Sequence, residues 1–528
     1  MTVPADSSSL AEVSQWRRQC GDPATTTMAL RRAFGLAETL VRRGETSLAI
    51  DVADIALERV TGQDAVLNLR FVRCLARIES GGPFQGYEEV VDSLLARADE
   101  LFAQAQGSRD HSSARAAARW FALSLRIFLH RRLHTSLDTS PLAFDPAEAM
   151  VPFRASTIYQ ALQPLSVARD SGGLRATQVP PRTVAVLTSE DSFFLRPVIE
   201  AAHALSAEVR QLRLADVDPA WSGMSALLGD RVVGLVDPVV DPLVVPGVLV
   251  GVDVVFVDWA DEAAAWASVR LPVSGPRLVV RLHSVEALSA AVHVVDWSRV
   301  DRLVFVSEFL RRLTHAVVPA TRSVDSVVVG HGVVSAGVGV KSAGAWSTLG
   351  MVGWGQVVKD PLFAVEVLAL LRARDPQRDW RLRLIGGSLE SGARPWDAGY
   401  IDDLQRIVGE PLVAGAIEMT GFTDNVNAAL EDVGFILSTS LREADPHGVV
   451  EGVLSGAVPV VRDWPVVAPW GGARELFPAD WIVQTPEEAA DRILSVNNPE
   501  IVGREAAEWI VSQRPYRDEQ VALMAAMS

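Results

Sequence analysis

Cysteine is nearly absent from this chain: Cys20 and Cys74 are the only two in 528 residues. They form no C-x-x-C pair, so the sequence offers neither metal-site spacing nor a disulfide framework, and a reducing compartment is expected. No apolar run is long enough to cross a membrane, since the valine-rich stretch 232–257 is broken by Asp237, Pro238, Asp241 and two further prolines. The start, Met1-Thr-Val-Pro-Ala-Asp, lacks the basic and apolar regions of a secretory signal. A cytoplasmic location is the expectation. Clustered basic charge is also missing. The net charge of −16 argues against nucleic acid as a partner, although a few local donors suffice for a single nucleotide. H-E-x-x-H, P-loop, complete G-x-G-x-x-G and G-x-S-x-G patterns do not occur, which removes support for a zinc protease, an NTPase, a dinucleotide enzyme or a serine hydrolase. Asp216-Val-Asp218 is a bare D-x-D in an acidic chain and is discounted, so no metal is expected.

What is present is a globular composition, 49% hydrophobic and 22% charged, in a chain long enough for about three domains. Residues 1–14 read as loose. From Met28 to about His134 the pattern is helical: Leu48, Val52, Ile55 and Val60 share a face, Ala65 to Ile78 forms a second stretch, and Gly44, Gly62 and Gly81-Gly82-Pro83 punctuate. A helical hairpin array without clear 34-residue repetition fits this. It reads either as a docking or oligomerisation module for a protein partner or, the preferred reading, as a helical cap. Arg115 to His134 is basic and apolar. A packed helix with solvated arginines is preferred there over peripheral contact with an anionic membrane face. Residues 135–180 read as a linker. At Arg182 the rhythm becomes βαβ, with strands at Thr183–Thr188, 207–213, 231–236, 252–257, 277–282, 302–306 and 325–329. It breaks at 334–344 and restarts with strands at 348–353, 380–385, 416–420, 433–437 and 458–461. The predicted architecture is two Rossmann-like parallel-sheet domains facing a cleft, behind an all-α region. The segments are 1–170, 181–340, 346–510 and a C-terminal helix, 511–528, crossing back to the first sheet domain.

The stretch Ser438 to Val461 is where chemistry is expected. A buried strand leads to a polar turn, and a short helix follows that starts at Asp445-Pro446, with Asp as N-cap and Pro at the first position. Free amides at Gly448, Val449 and Val450, with the helix dipole, favour a phosphate group. Glu451, early in the helix, suits a diol, and Glu443 is free to reach the other end of the same ligand. On spacing alone, solvated glutamates and amides satisfied by Asp445 remain an equal alternative.

Glu443-x7-Glu451 followed by Ser455-Gly456-Ala-Val-Pro-Val-Val461 resembles the E-x7-E signature of GT-B retaining glycosyltransferases of the large family-four group. Leu349 to Asp360, Leu384-Ile-Gly-Gly-Ser388, Ile417 to Thr423, Arg281-Leu-His-Ser284 and Asp301 to Ser307 resemble further segments in the family's order, so the similarity covers roughly residues 182–510. The resemblance implies a nucleoside diphosphate sugar, UDP- or GDP-linked, as donor substrate. It also implies transfer with retention to a hydroxyl of a glycan, lipid or protein acceptor, in bacterial polysaccharide, glycolipid or glycan assembly. By the same resemblance Glu443 contacts the sugar, Lys359 neutralises the diphosphate, His283 lies near the transferred sugar and Glu451 holds the ribose. Gly355, Gly386, Gly387, Gly421 and Phe422 line the nucleotide site. The family's Arg shortly before the Lys is replaced by Gly353-Trp354-Gly355, with Arg442 a candidate substitute. The loop 188–195, with Glu190 and Asp191, would line the acceptor pocket. His447 reads as an exposed loop residue. Two other readings share the fold: a nucleotide-sugar 2-epimerase, and a non-catalytic partner or scaffold protein.

Overall fold

The computed structural model describes residues 7–81, 85–135, 137–163, 180–190, 194–238, 246–272, 274–334, 339, 341–389 and 394–528. Parts of the expected linker, of the loop 188–195 (Asp191 among them), of Gly81-Gly82-Pro83 and of the break at 334–344 lie outside the described residues.

Six helices open the chain: Ser7–Gly21, Thr26–Arg42, Thr46–Leu57, Gln63–Glu79, Tyr87–Ser108 and His111–Phe128. From Ser7 onward the chain is more ordered than its polarity suggested, because Val13 and Trp16 are buried and the Trp16 indole donates to Ala29 O at 2.8 Å. His111–Phe128 buries Trp120, Phe121, Leu125 and Phe128 and packs against Tyr87–Ser108 and against the later helix Met224–Val236. Its apolar face is therefore covered by protein. Between Pro141 and Leu162, inside the stretch read as linker, four short helices form.

Two parallel sheets follow. The first contains β1 (Thr183–Thr188), β2 (Glu208–Arg213), β3 (Val254–Asp258), β4 (Arg277–Leu282), β5 (Arg302–Phe305) and β6 (Ser326–Val328), in the order β2-β1-β3-β4-β5-β6. The second contains β7 (Thr348–Val352), β8 (Arg381–Ile385), β9 (Ile417–Gly421), β10 (Phe435–Ser438), β11 (Val458–Arg462) and β12 (Ile482–Val483), in the order β12-β11-β10-β7-β8-β9. β1, β3 and β4 are buried throughout, as expected of strands covered on both faces. The expected architecture, two Rossmann-like domains behind a helical region (GT-B), is present.

One expected strand is a helix. Residues 231–236 fall in Met224–Val236, where Leu227, Leu228, Val232, Val233 and Val236 are buried against the N-terminal helices. β-branched residues favour a strand locally, but a helical face matched to a tertiary partner overrides that preference. The last helix, Tyr516–Met527, packs on Leu195–Ala204 of the first sheet domain, and its Leu523, Ala526 and Met527 share a cluster with Val184 and Phe256. Beside it the chain crosses between domains at Gly332, where a Cβ would stand 2.6 Å from Tyr516 Cα, and Val333 donates to Arg514 O at 2.8 Å.

Candidate active site

In each sheet the first strand lies inside, and the chain runs outward from it on both sides. The order reverses between β1 and β3 in the first sheet and between β7 and β10 in the second. Loops leaving adjacent strands at such a point diverge and leave a crevice beyond the strands' carboxyl ends, which is where open α/β sheets bind ligands. Here both crevices open into one cavity of about 1340 Å³. Ser189 follows β1, Trp259 and Asp261 follow β3, Gly353, Gly355 and Lys359 follow β7, and Thr439, Ser440, Glu443 and Gly448 follow β10, and all of these line it.

On the second sheet's side, Lys359 Nζ donates to Glu443 Oε1 at 2.5 Å, and Ser440 Oγ donates to the same oxygen at 2.7 Å. The lysine's backbone is fixed from both ends: Thr439 Oγ1 donates to Lys359 O at 2.7 Å, and Leu441 N to Val358 O at 2.8 Å. Asp360 next to it has a left-handed backbone, φ 49°, and its carboxylate is held by the Tyr400 hydroxyl and by Arg462, each at 2.6 Å. Only two lysines occur in the sequence, Lys341 and Lys359. Lys341 is tied to Leu430 O and Ser455 Oγ away from the cavity. In a chain whose basic residues other than these two lysines are arginines, a compact ammonium in the crevice is a selective choice.

The helix begins one residue later than predicted: it is His447–Leu454, with Pro446 at the cap position. Asp445 does not cap it. Its carboxylate is drawn away by Arg514, an ion pair, and by the His331 amide at 2.9 Å. Burial raises the cost of charging Asp445, but Arg514, together with His331 and His447, outweighs that and holds the carboxyl down at about 2. The amides of His447, Gly448 and Val449 have no acceptor among the described residues, whereas that of Val450 donates to Pro446 O at 3.4 Å. Val450 is buried in the core and does not reach the cavity; Gly448, Val449 and Glu451 do. Gly448 is needed by packing as well, because a Cβ there would stand 2.9 Å from Val352 Cβ at the end of β7. Glu451 is half-buried, and desolvation raises its carboxyl above the ordinary range.

On the first sheet's side, the ring of His283 gives Nε2 to Asp258 Oδ1 at 2.8 Å, and Arg281 Nε gives to the same oxygen at 2.7 Å. Burial opposes the Asp258 charge, but Arg281 and His283 hold the carboxyl below its usual range. Burial, with Arg281, depresses His283 to about 4, so the ring is neutral at physiological pH. An ionised carboxylate only accepts, so Nε2 carries the proton and Nδ1 is left basic. Trp259 stacks on His283, with centroids 4.4 Å apart, from a backbone at φ 87° that a bulky side chain rarely adopts. Asp261 accepts from Ser189 Oγ at 2.8 Å and from the Ala263 amide at 2.9 Å; burial pushes it up to about 7. His447, read from sequence as exposed, is half-buried, with its ring centroid 4.5 Å from that of His331.

The cavity thus brings together Glu443, Lys359, His283, Glu451, Gly448, Val449 and Gly355. It does not include Gly386, Gly387, Gly421 or Phe422. Gly386 donates to Gly421 O at 3.0 Å where β8 meets the edge strand β9, and Phe422 is 73% exposed. Gly355 and Gly387 serve loop contact, since a Cβ on Gly355 would lie 2.4 Å from Gly387 O. Sequence reasoning missed Asp258, Asp261, Trp259 and His331. An acid closing an all-apolar strand, as Asp258 closes Val254–Asp258, was the readable signal for the first. The helical region contributes Leu129 and Arg131, and its His130 ring meets Trp396 of the second sheet domain edge-on with centroids 5.1 Å apart. Among the described residues no cluster of His, Cys, Asp and Glu is arranged to hold a metal, and no helix is long and apolar enough to cross a membrane.

Neither a known family model nor a curated protein matches the sequence. Among solved structures, the chain is similar to TarM of S. aureus at 13% identity, over 52% of this chain and 54% of that one, with TM-score 0.42. It is similar to HepE of Anabaena in complex with UDP and glucose at 14% identity, over 65% of this chain and 99% of HepE, with TM-score 0.48. A third similarity is to sucrose-phosphate synthase of Thermosynechococcus elongatus, at 13% identity over 65% and 97% of the two chains, with TM-score 0.48. The chain spans about half the length of TarM. At such identity the chemistry rests on the side chains in the cleft.

Proposed function

We propose that this protein is a glycosyltransferase that moves a sugar from a nucleoside diphosphate donor, UDP- or GDP-linked, to an acceptor hydroxyl. The observation that carries the reading is the pairing of Lys359 with Glu443, 2.5 Å apart, in the same cavity that Gly448 and Val449 of the helix tip line. A diphosphate needs fixed positive charge that strengthens its hold as the glycosidic bond breaks. Lys359 and the helix amides supply it without reorganisation. Glu443 and Glu451 are acceptors for sugar and ribose hydroxyls, and a half-buried Glu451, raised above its ordinary range by desolvation, suits a neutral diol. His283, neutral and fixed by Asp258, offers a hydrogen-bond acceptor to the transferred sugar without adding charge. Retention of configuration, and a role in bacterial polysaccharide, glycolipid or glycan assembly, extend this proposal on the resemblance of the motifs alone.

The test is binding and turnover with purified protein. UDP or GDP should raise the thermal midpoint, and one of their sugars should be consumed in the presence of a hydroxylated acceptor. Glu443→Ala and Lys359→Ala should each lower turnover by about 10²-fold or more while the fold persists, the size typical of lost transition-state donors. Full turnover in both variants sinks the assignment.

A further inference from the structure

Arg442 stands one residue before Glu443 and lines the cavity, yet it is only 8% exposed. Among the described residues it makes one hydrogen bond, a long one of 3.3 Å from Nη1 to Ser284 Oγ across the cleft. Its Nε has no acceptor. The nearby acids are engaged elsewhere: Glu443 by Lys359 and Ser440, and Glu286 by the His283 and Ser284 amides at 2.8 and 2.6 Å. A guanidinium has five donors and keeps its proton in proteins, so a buried one with a single weak bond is far from satisfied. Arg131, from the helical region, lines the same cavity. Burial, together with the charge of Arg131, pushes Arg442 below its ordinary range against the pull of Glu443 and Glu286.

Two guanidiniums from separate parts of the chain thus line one cavity. The diphosphate has other donors, in Lys359 and the helix tip. Arg442 reaches instead to the acceptor-domain wall, beside His283. We propose that Arg442, with Arg131 and the Ser284 hydroxyl, forms a subsite for a carboxylate or phosphate carried by the transferred sugar or by the acceptor, not by the nucleotide. A planar fork of donors suits either anion. The inference rests on the nucleotide-sugar reading above.

The test compares wild type with Arg442→Gln in the full chain. Binding is measured for UDP and GDP alone, and for UDP-glucose against UDP-glucuronate, or GDP-mannose against GDP-mannuronate if GDP is the nucleotide bound. Turnover is measured with neutral, carboxylate-bearing and phosphate-bearing saccharide acceptors. The variant should bind the free nucleoside diphosphate within twofold of wild type and lose tenfold or more of a charge preference. Loss of the preference for the uronate donor assigns the anion to the sugar; loss in kcat/KM for the acidic acceptor assigns it to the acceptor. Arg442→Lys should recover part of that preference, and Arg131→Gln should weaken it, neither of which a purely structural arginine explains. If Arg442→Gln does not fold, Ser284→Ala and Arg131→Gln carry the same comparison. The subsite is overturned if wild type shows no preference on either arm, or if the variant loses UDP or GDP binding itself. Wild-type protein that binds neither nucleotide removes the donor reading, and this subsite with it.

Discussion

Asp261 shows how burial, seconded by neighbouring Glu286 and Glu262, sets the state of a side chain in the cleft. Its two hydrogen bonds, from Ser189 and Ala263, would suit either a carboxylate or a carboxylic acid, but desolvation dominates and raises it to about 7. A folded-state value above the unfolded one means that the native protein holds the proton more tightly. Stability is then full below the unfolded value near 4 and declines as pH rises towards 7. Asp261→Asn keeps the acceptor oxygen and removes the charge. The variant should match wild type in unfolding free energy near pH 4 and exceed it by pH 7.5, by on the order of 4 kcal/mol. Equal free energies across that range would show that Asp261 is better solvated than its surroundings indicate.

The helix His447–Leu454 is the element on which the site turns, and its tip is set by packing against β7. Gly448 touches Val352 so closely that a methyl group cannot enter without moving one of them. Gly448→Ala should cost about 1–3 kcal/mol by overpacking. It should also raise KM for the donor more than it lowers kcat, because it displaces amides and leaves Lys359 and Glu443 in place. Denaturant melts and steady-state kinetics check the two parts separately. Much of this element was legible: the strand, the turn, the two glutamates and the short helix follow from an apolar run, a polar turn and a Gly-punctuated amphipathic segment. The cap was not. Asp445-Pro446 has the local grammar of a helix start, but Arg514, 69 positions away, offers the aspartate an ion pair that the helix amides cannot match.

Across the molecule, that same pair ties the second sheet domain to the segment crossing back to the first. Asp445 is buried and held at about 2 by Arg514 against the cost of burial, so its contribution is present above the unfolded value near 4 and is lost as pH falls through 2. Arg514→Met leaves that carboxylate buried without its partner and should destabilise the fold by about 3–5 kcal/mol at pH 7. The deficit should shrink towards pH 2, read as a converging pair of unfolding midpoints. The helical region is part of the same assembly. It packs on Met224–Val236 of one sheet domain and through His130 on Trp396 of the other, so it braces both walls of the cleft.

The sequence by itself determined the alternation of strands and helices and the two parallel-sheet domains, because period and turn residues are short-range properties. Only the tertiary structure decided that 231–236 is a helix, that Arg514 claims Asp445, that the β8–β9 glycines stay out of the cavity and that Arg131 and Arg442 line one cavity. Each depends on a partner distant in the chain, and burial, which sets both charge state and partner choice, exists only once those partners are brought together.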